Sequence, residues 1–384
     1  MKITLKRELL ERKLKMASSV LNEKSLIPIH KEGLVTFRKD NICFKSASDG
    51  LSMECEMPIE SIEGEKLPFV CDLNLILGTI STLKAEEIIL IVSKTDVQVK
   101  TTRTRSKWSI PINYQAEDYP KTNSEWKDEY LELPGSTFAE AIKTCGNLVD
   151  PKSIQLQFAG INMRFEGKSL YFESSRDQGI CQCQFNLLEP IPFKGNILIP
   201  KSIVSVIDSY SKSQKVKIFI DNDERNVKIY DGASTAEIRL IEAQAAQIQM
   251  IIDAKVDPEN YMIMNRMDVI NTFKRIIQFS IQNLDPIVGI DMTEDETVNF
   301  AFNDPAYRKS IDEFIAVESK SPLMNFVTGI NPRMFSESLQ LLSGENIALH
   351  QMAPSDPFYV RDEDEGVLKV RFLFSASTFN RGKK

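Results

Sequence analysis

A strand-then-helix segment occurs three times in this chain, and the spacing of its copies limits what the chain can fold into. The first copy, residues 1–24, reads MKITLKRELLERKLKMASSVLNEK. Ile3 and Leu5 alternate as in a short strand. Leu10, Leu14, Ala17 and Leu21 then share one helix face, with Glu8, Arg12, Lys15 and Ser19 opposite. Residues 129–149 repeat the pattern: Leu131 and Leu133 alternate, then Phe138, Ile142 and Cys145 form the stripe. Residues 260–280 do so again, with Met262 and Met264 before Val269, Phe273 and Ile276. The copies start at 1, 129 and 260, offsets of 128 and 131 residues. A solenoid repeats at roughly 20–50 residues, so this period is that of a domain. Lys15, Lys143 and Lys274 occupy the same position in all three copies.

The rest of each third follows one order. Strands with turn signals such as Asp49-Gly50 come after the first helix. A second helix begins near residues 71, 200 and 331, with Asp72 as the N-cap of the first. Further strands close each third. Polar, proline-containing residues 113–128 read as a linker. The expected fold is α+β: three repeated domains at 1–125, 126–257 and 258–384, each two helices on antiparallel sheet.

Little in the sequence suggests chemistry. His30 and His350 stand far apart at non-matching points of their repeats, and no phosphate loop, dinucleotide fingerprint, nucleophile elbow or HExxH zinc motif occurs. No enzyme, cofactor or metal is expected. Six cysteines show no zinc spacing. Cys181-x-Cys183 would point both thiols to one strand face, and reduced buried thiols in a cytoplasmic protein are the simplest reading. Asp362 to Glu365 reads as an acidic hairpin tip in solvent. There is no signal-peptide pattern and no membrane-length apolar run. Net charge is −7, which argues against a protein coated in nucleic-acid-binding charge but permits one basic face. Arg12, Lys13, Lys15, Lys24, Lys143, Lys152, Lys201, Lys212, Lys274, Arg275 and Arg333 fall in or beside the expected helices, and acidic residues gather in strands and loops.

Several segments, taken in order, resemble the bacterial DNA sliding clamp, the beta subunit of the replicative polymerase. They are the opening MKIT and Lys24-Ser-Leu-Ile-Pro-Ile, Ala47-Ser48-Asp49, Ala116-Glu117-Asp118-Tyr119-Pro120, and Gly160-Ile161 through Ser174-Ser175. Ile199-Pro200-Lys201 and Ile330-Asn331-Pro332-Arg333-Met334 complete the set. The resemblance implies a head-to-tail dimeric ring, sheets outside and helices lining a hole for duplex DNA held without sequence readout. It implies a homodimer interface through Trp108, Ile110 and Phe279. It also implies an apolar cleft for short linear peptides of the DNA polymerase and clamp loader, at Ser175, Gln178, Ile180, Ile251, Asn331, Met334, Phe372 and Phe374. The chain departs from the family at Arg176-Asp177-Gln178-Gly179-Ile180, at Ala245-Ala246, and at its Phe-Leu-Phe-Ser-Ala-Ser-Thr end with the basic tail from Asn380. These departures would suit a divergent, virus-encoded member. The expected function is a processivity clamp. The alternatives are a clamp-fold protein scaffold that does not slide on DNA, and a metal-dependent hydrolase using the carboxylates at 362–365.

Overall fold

The computed structural model describes residues 1–101, 106–121, 124–255 and 257–379. The basic tail from Asn380 lies outside these residues, as do residues 102–105 among the strands that close the first third. Seven α-helices occur among them: α1 (Arg7–Ser18), α2 (Leu73–Ser81), α3 (Gly135–Asn147), α4 (Val204–Ile207), α5 (Ile248–Lys255), α6 (Arg266–Phe279) and α7 (Pro332–Leu339). The apolar stripes fold as their spacing predicts. Leu10, Leu14 and Ala17 on α1, Phe138, Ile142 and Cys145 on α3, and Val269, Phe273 and Ile276 on α6 are all fully buried.

Side-chain caps fix where several helices begin. Asp72 Oδ1 accepts from Leu75 N (3.0 Å) at α2. Asn265 Oδ1 accepts from Met267 N and Asp268 N at α6. Asn331 Oδ1 accepts from Arg333 N at α7, where Pro332 occupies the first turn and so wastes no donor. The second helix expected from near residue 200 is a single turn: α4 is flanked by 3₁₀ turns at Lys201–Ile203 and Asp208–Tyr210.

Strand pairing repeats as faithfully as the helices. In each third the opening strand pairs antiparallel with the strand after the second helix: Lys2–Lys6 with Glu87–Val92, Leu131–Leu133 with Val216–Ile220, and Tyr261–Asn265 with Asn346–His350. The strand that follows the first helix pairs with the one entering the second: Gly33–Arg38 with Phe69–Cys71, Gly160–Glu166 with Gly195–Pro200, and Val288–Asp291 with Val327–Ile330.

The chain forms two compact units, Met1–Glu140 with Ser202–Glu242, and Ala141–Lys201 with Ala243–Lys384. The second repeat is shared between them because its strands complete its neighbours' sheets. Its last strand, Ser234–Arg239, pairs with Leu51–Pro58 inside an eight-stranded sheet of the first unit. In the second unit the last strand of the third repeat, Leu368–Phe374, pairs with Gly179–Asn186 inside a nine-stranded sheet. A five-stranded sheet ends on Lys107–Pro111 and a four-stranded sheet on Lys309–Ala316; neither edge has a further neighbour among the described residues.

Aromatic side chains fill the core of the third repeat. Phe273 meets Phe300 edge-on (5.2 Å) and Phe335 (5.0 Å), and Phe335 meets Phe374 (5.4 Å). No helix among the described residues is long and apolar enough to cross a membrane.

The polar segment at 113–128 is more ordered than a linker need be. It turns through a 3₁₀ helix at Ala116–Asp118, and Tyr119 is buried against Ala47 and Val70. The Tyr119 hydroxyl donates to the Glu32 carbonyl (3.0 Å) and accepts from Ala47 N (2.9 Å). Burial pushes its pKa well above the usual tyrosine range. Tyr119→Phe would strand a buried N–H and a carbonyl, and urea unfolding should show a loss of about 1–3 kcal/mol.

Candidate nucleic-acid interface and partner surface

Lys15, Lys143 and Lys274 are each the ninth residue of their helices, α1, α3 and α6. All three side chains are exposed on the face opposite the buried stripe. The tripled lysine is therefore a tripled structural position. Lys15 also pairs with Glu11 one turn earlier (2.8 Å). Arg12 is exposed and lines a shallow hollow with Lys6, Glu8 and Glu87. Lys24 and Lys152 are exposed in the loops after α1 and α3.

The other basic candidates are tethered. Lys201 is half-buried, its Nζ donates to the Val149 carbonyl (3.0 Å), and burial, aided by Arg176, lowers its pKa. Arg333 Nη2 donates to the Asn283 carbonyl (3.2 Å). Arg275 is exposed, but both arms of its guanidinium grip Glu313 (2.7 and 2.8 Å). Lys13 is buried, with Nζ 3.1 Å from Ser234 Oγ. These four serve the fold or another side chain as they stand, so the sequence overcounted the available positive charge.

Among the cleft candidates, the structure brings several together and separates others. Gln178 and Ile180 flank Gly179 at the start of their strand, and a Cβ at Gly179 would lie 2.5 Å from Met334 Sδ. The absent side chain is what lets α7 approach so closely. Asn331 caps the same helix, and half-buried Ser175 lies opposite Ile180 in the strand pair.

Phe372 and Phe374 need correction. They are 0% and 2% exposed, and they belong to the aromatic core rather than an open cleft. Ile251 stands at the surface of α5, 43% exposed. The residues that pack together are their neighbours: Ile248 and Ile252 on α5 close over Leu373 and Tyr359, with Ile180 and Ala246 alongside. A shift of one residue along a strand, or of one along a helix, changes the face. Gln249 adds polar anchorage, its Oε1 accepting from Arg164 Nη2 (3.1 Å) and Gln182 Nε2 (2.9 Å). No α5 was expected, because a short helix in a linker carries too little periodicity to be seen.

At the expected dimer positions, Trp108 is half-buried and Phe279 is 43% exposed. Ile110 is buried in its own unit, opposite Val97, and is not available as a surface contact. Phe314, which the sequence did not single out, is 62% exposed on the edge strand Lys309–Ala316. Leu26, Ile154 and Leu284 are 98%, 98% and 96% exposed in the loops after α1, α3 and α6.

Three of the four carboxylates at 362–365 have structural partners, and Asp364 is exposed. Asp362 is buried, not at a solvent tip, and its carboxylate accepts from Gly344 N (2.8 Å) and Ser343 N (3.2 Å). Glu363 accepts from Asn346, and Glu365 pairs with Arg371 and Lys369. His350 is buried along its strand, and burial lowers its pKa. Asp362 is thus held in the fold rather than offered to solvent.

Residues 1–123 match the family model described as DNA polymerase III beta subunit, N-terminal domain. No curated protein sequence matches the chain. Among solved structures, a DNA polymerase III beta subunit from Eubacterium rectale is 16% identical with a TM-score of 0.85, covering 99% of this chain and 100% of that one. A sliding clamp from Pseudomonas aeruginosa bound to griselimycin is 13% identical at 0.87, with the same coverage. A beta subunit from Streptococcus pyogenes is 14% identical at 0.87, again covering 99% and 100%. The chain has the sliding-clamp fold over its whole length, and the resemblance read from the sequence is borne out.

Hydrogen bonding from Arg275 holds the Glu313 carboxyl below its ordinary value of 4.5. A depressed carboxylate stabilises the fold above its unfolded pKa, and the contribution is lost as pH falls through the folded value. With Arg275 half exposed, it amounts to less than about 1 kcal/mol. Arg275→Gln should move the Glu313 titration, followed by NMR, up toward the ordinary carboxylate range. The stability gap to the parent should close as the pH is lowered.

Proposed function

We propose that this chain, which carries the fold of the bacterial DNA polymerase III beta subunit, is a DNA sliding clamp. In this reading it is a three-domain, non-enzymatic cytoplasmic protein. Two copies join head to tail around duplex DNA and tether a replicative DNA polymerase.

The unpaired strand edges carry the proposal. Last strands of the second and third repeats each pair with the third hairpin strand of the repeat before. Only the first repeat's last strand, Lys107–Pro111, and the third repeat's hairpin strand, Lys309–Ala316, lack that pairing among the described residues. Each chain thus keeps one edge of each kind. Two copies satisfy both, and a heterologous contact that closes on itself makes a ring. Trp108, Phe279 and Phe314 would lie at that junction. Phe314→Asp should convert a dimer to single chains in sedimentation, with the circular dichroism spectrum unchanged.

Equivalent units around an axis present equivalent helix faces inward, so Lys15, Lys143 and Lys274 would all meet phosphate. Such contacts hold DNA without fixing it in register, which suits a protein that slides. Lys24, Lys152 and Arg12 add to this surface. Lys201, Arg275 and Arg333 join it only on leaving their present partners. Polymerase and clamp-loader peptides would dock beside Gln178, Ile180 and Met334, with α5 as the rim of the site.

Replacing Lys15, Lys143 and Lys274 together with alanine removes six cations per dimer. The slope of log affinity for duplex DNA against log salt should fall by up to about 5. An unchanged slope would leave a protein-binding scaffold as the better account. Glu313→Gln, which frees Arg275, should instead steepen the slope by about 1 if that arginine faces DNA.

A further inference from the structure

Three thiols converge in the core of the second unit. Cys181 and Cys183 lie two apart on Gly179–Asn186 and so point to one face of the sheet. Cys145 faces them from the last turn of α3. Its sulfur is 3.6 Å from that of Cys181 and 3.8 Å from that of Cys183, and all three sulfurs lie within 4.8 Å of one another. Each residue is 0% exposed. Among the described residues this is the only such group of three or more histidine, cysteine or acidic ligand atoms. Cys43, Cys55 and Cys71 are also buried and free, yet they form no such cluster.

Buried thiols pack as small hydrophobes, and two in contact would be unremarkable. Three at these spacings meet a stricter condition. Metal–sulfur bonds of about 2.3 Å place sulfurs about 3.8 Å apart at tetrahedral angles and about 4.0 Å apart at trigonal angles. The two short separations match this within a few tenths of an ångström. No histidine or carboxylate joins the set, and the cluster is sealed from water. Structural zinc sites close with four ligands, which this site does not supply. Thiolates favour cuprous ion, which is satisfied by three.

We propose that Cys145, Cys181 and Cys183 form a closed three-thiolate site for a soft monovalent cation of the cuprous class, tying α3 to the sheet beneath it. Copper enters as Cu(I) and keeps its oxidation state. Each thiol that becomes a ligand releases its proton to solvent. The full-length protein would be loaded by two routes: growth in copper-supplemented medium, and slow anaerobic exchange from a cuprous complex. A single copper per chain is expected by either route, with a higher melting temperature and an X-ray absorption first shell of sulfur alone. Cys183→Ala should weaken copper binding by at least the about 10–100-fold that loss of an outer-shell partner costs a metal site. Cys71→Ala, a buried thiol outside the cluster, should leave it intact. Folded protein that takes no copper by either route would overturn the site. So would copper retained by Cys183→Ala, copper lost equally from Cys71→Ala, or oxygen or nitrogen in the first shell. Zinc binding one per chain in preference to copper would overturn the choice of ion.

Discussion

A strand edge must be paired or protected, and the architecture of this chain follows from how it meets that requirement. No repeat completes its own sheets. The second repeat lends its last strand to the sheet of the first, and the third lends its last strand to the second. That borrowing produces the eight- and nine-stranded sheets and divides the second repeat between two compact units. Among the described residues it also leaves one edge of each kind per chain, the requirement for a heterologous contact, which makes a ring where the rotation between copies closes.

Electrostatics then separates structural from available charge. Net charge is −7, so any attraction to a polyanion must come from where the cations stand and not from their number. Lys13, Lys201 and Arg333 are consumed by hydroxyl and carbonyl oxygens, and Arg275 by Glu313. The ninth residue of α1, α3 and α6 is an exposed lysine in every repeat, and Lys15 pairs there with Glu11. A helix position opposite the buried stripe is the one place where a cation can recur in every repeat without disturbing packing.

What the sequence revealed depended on periodicity. Stripes such as Leu10, Leu14 and Ala17 located the first helices because burial enforces their spacing, and Asp72 marked a helix start because its carboxylate caps one. The three lysines were legible because the repeat supplied its own alignment. The buried residues beside the partner surface were not: Phe372 was chosen where Leu373 lies on the face that α5 covers. Alternation identifies two faces but not which one a neighbouring segment covers. The apolar strip is buried by α5, which lies outside the repeat, so nothing internal to the chain flagged it. Tyr119 was hidden for the same reason, as its two backbone partners are 72 and 87 residues away.

The central claim is that two copies of this chain enclose duplex DNA. Single-particle imaging of the purified protein, alone and with circular duplex DNA, tests it most directly. The account predicts a closed, six-lobed ring with a central hole, and DNA passing through that hole. Compact particles without a hole, or DNA bound only at the outer rim, would contradict it.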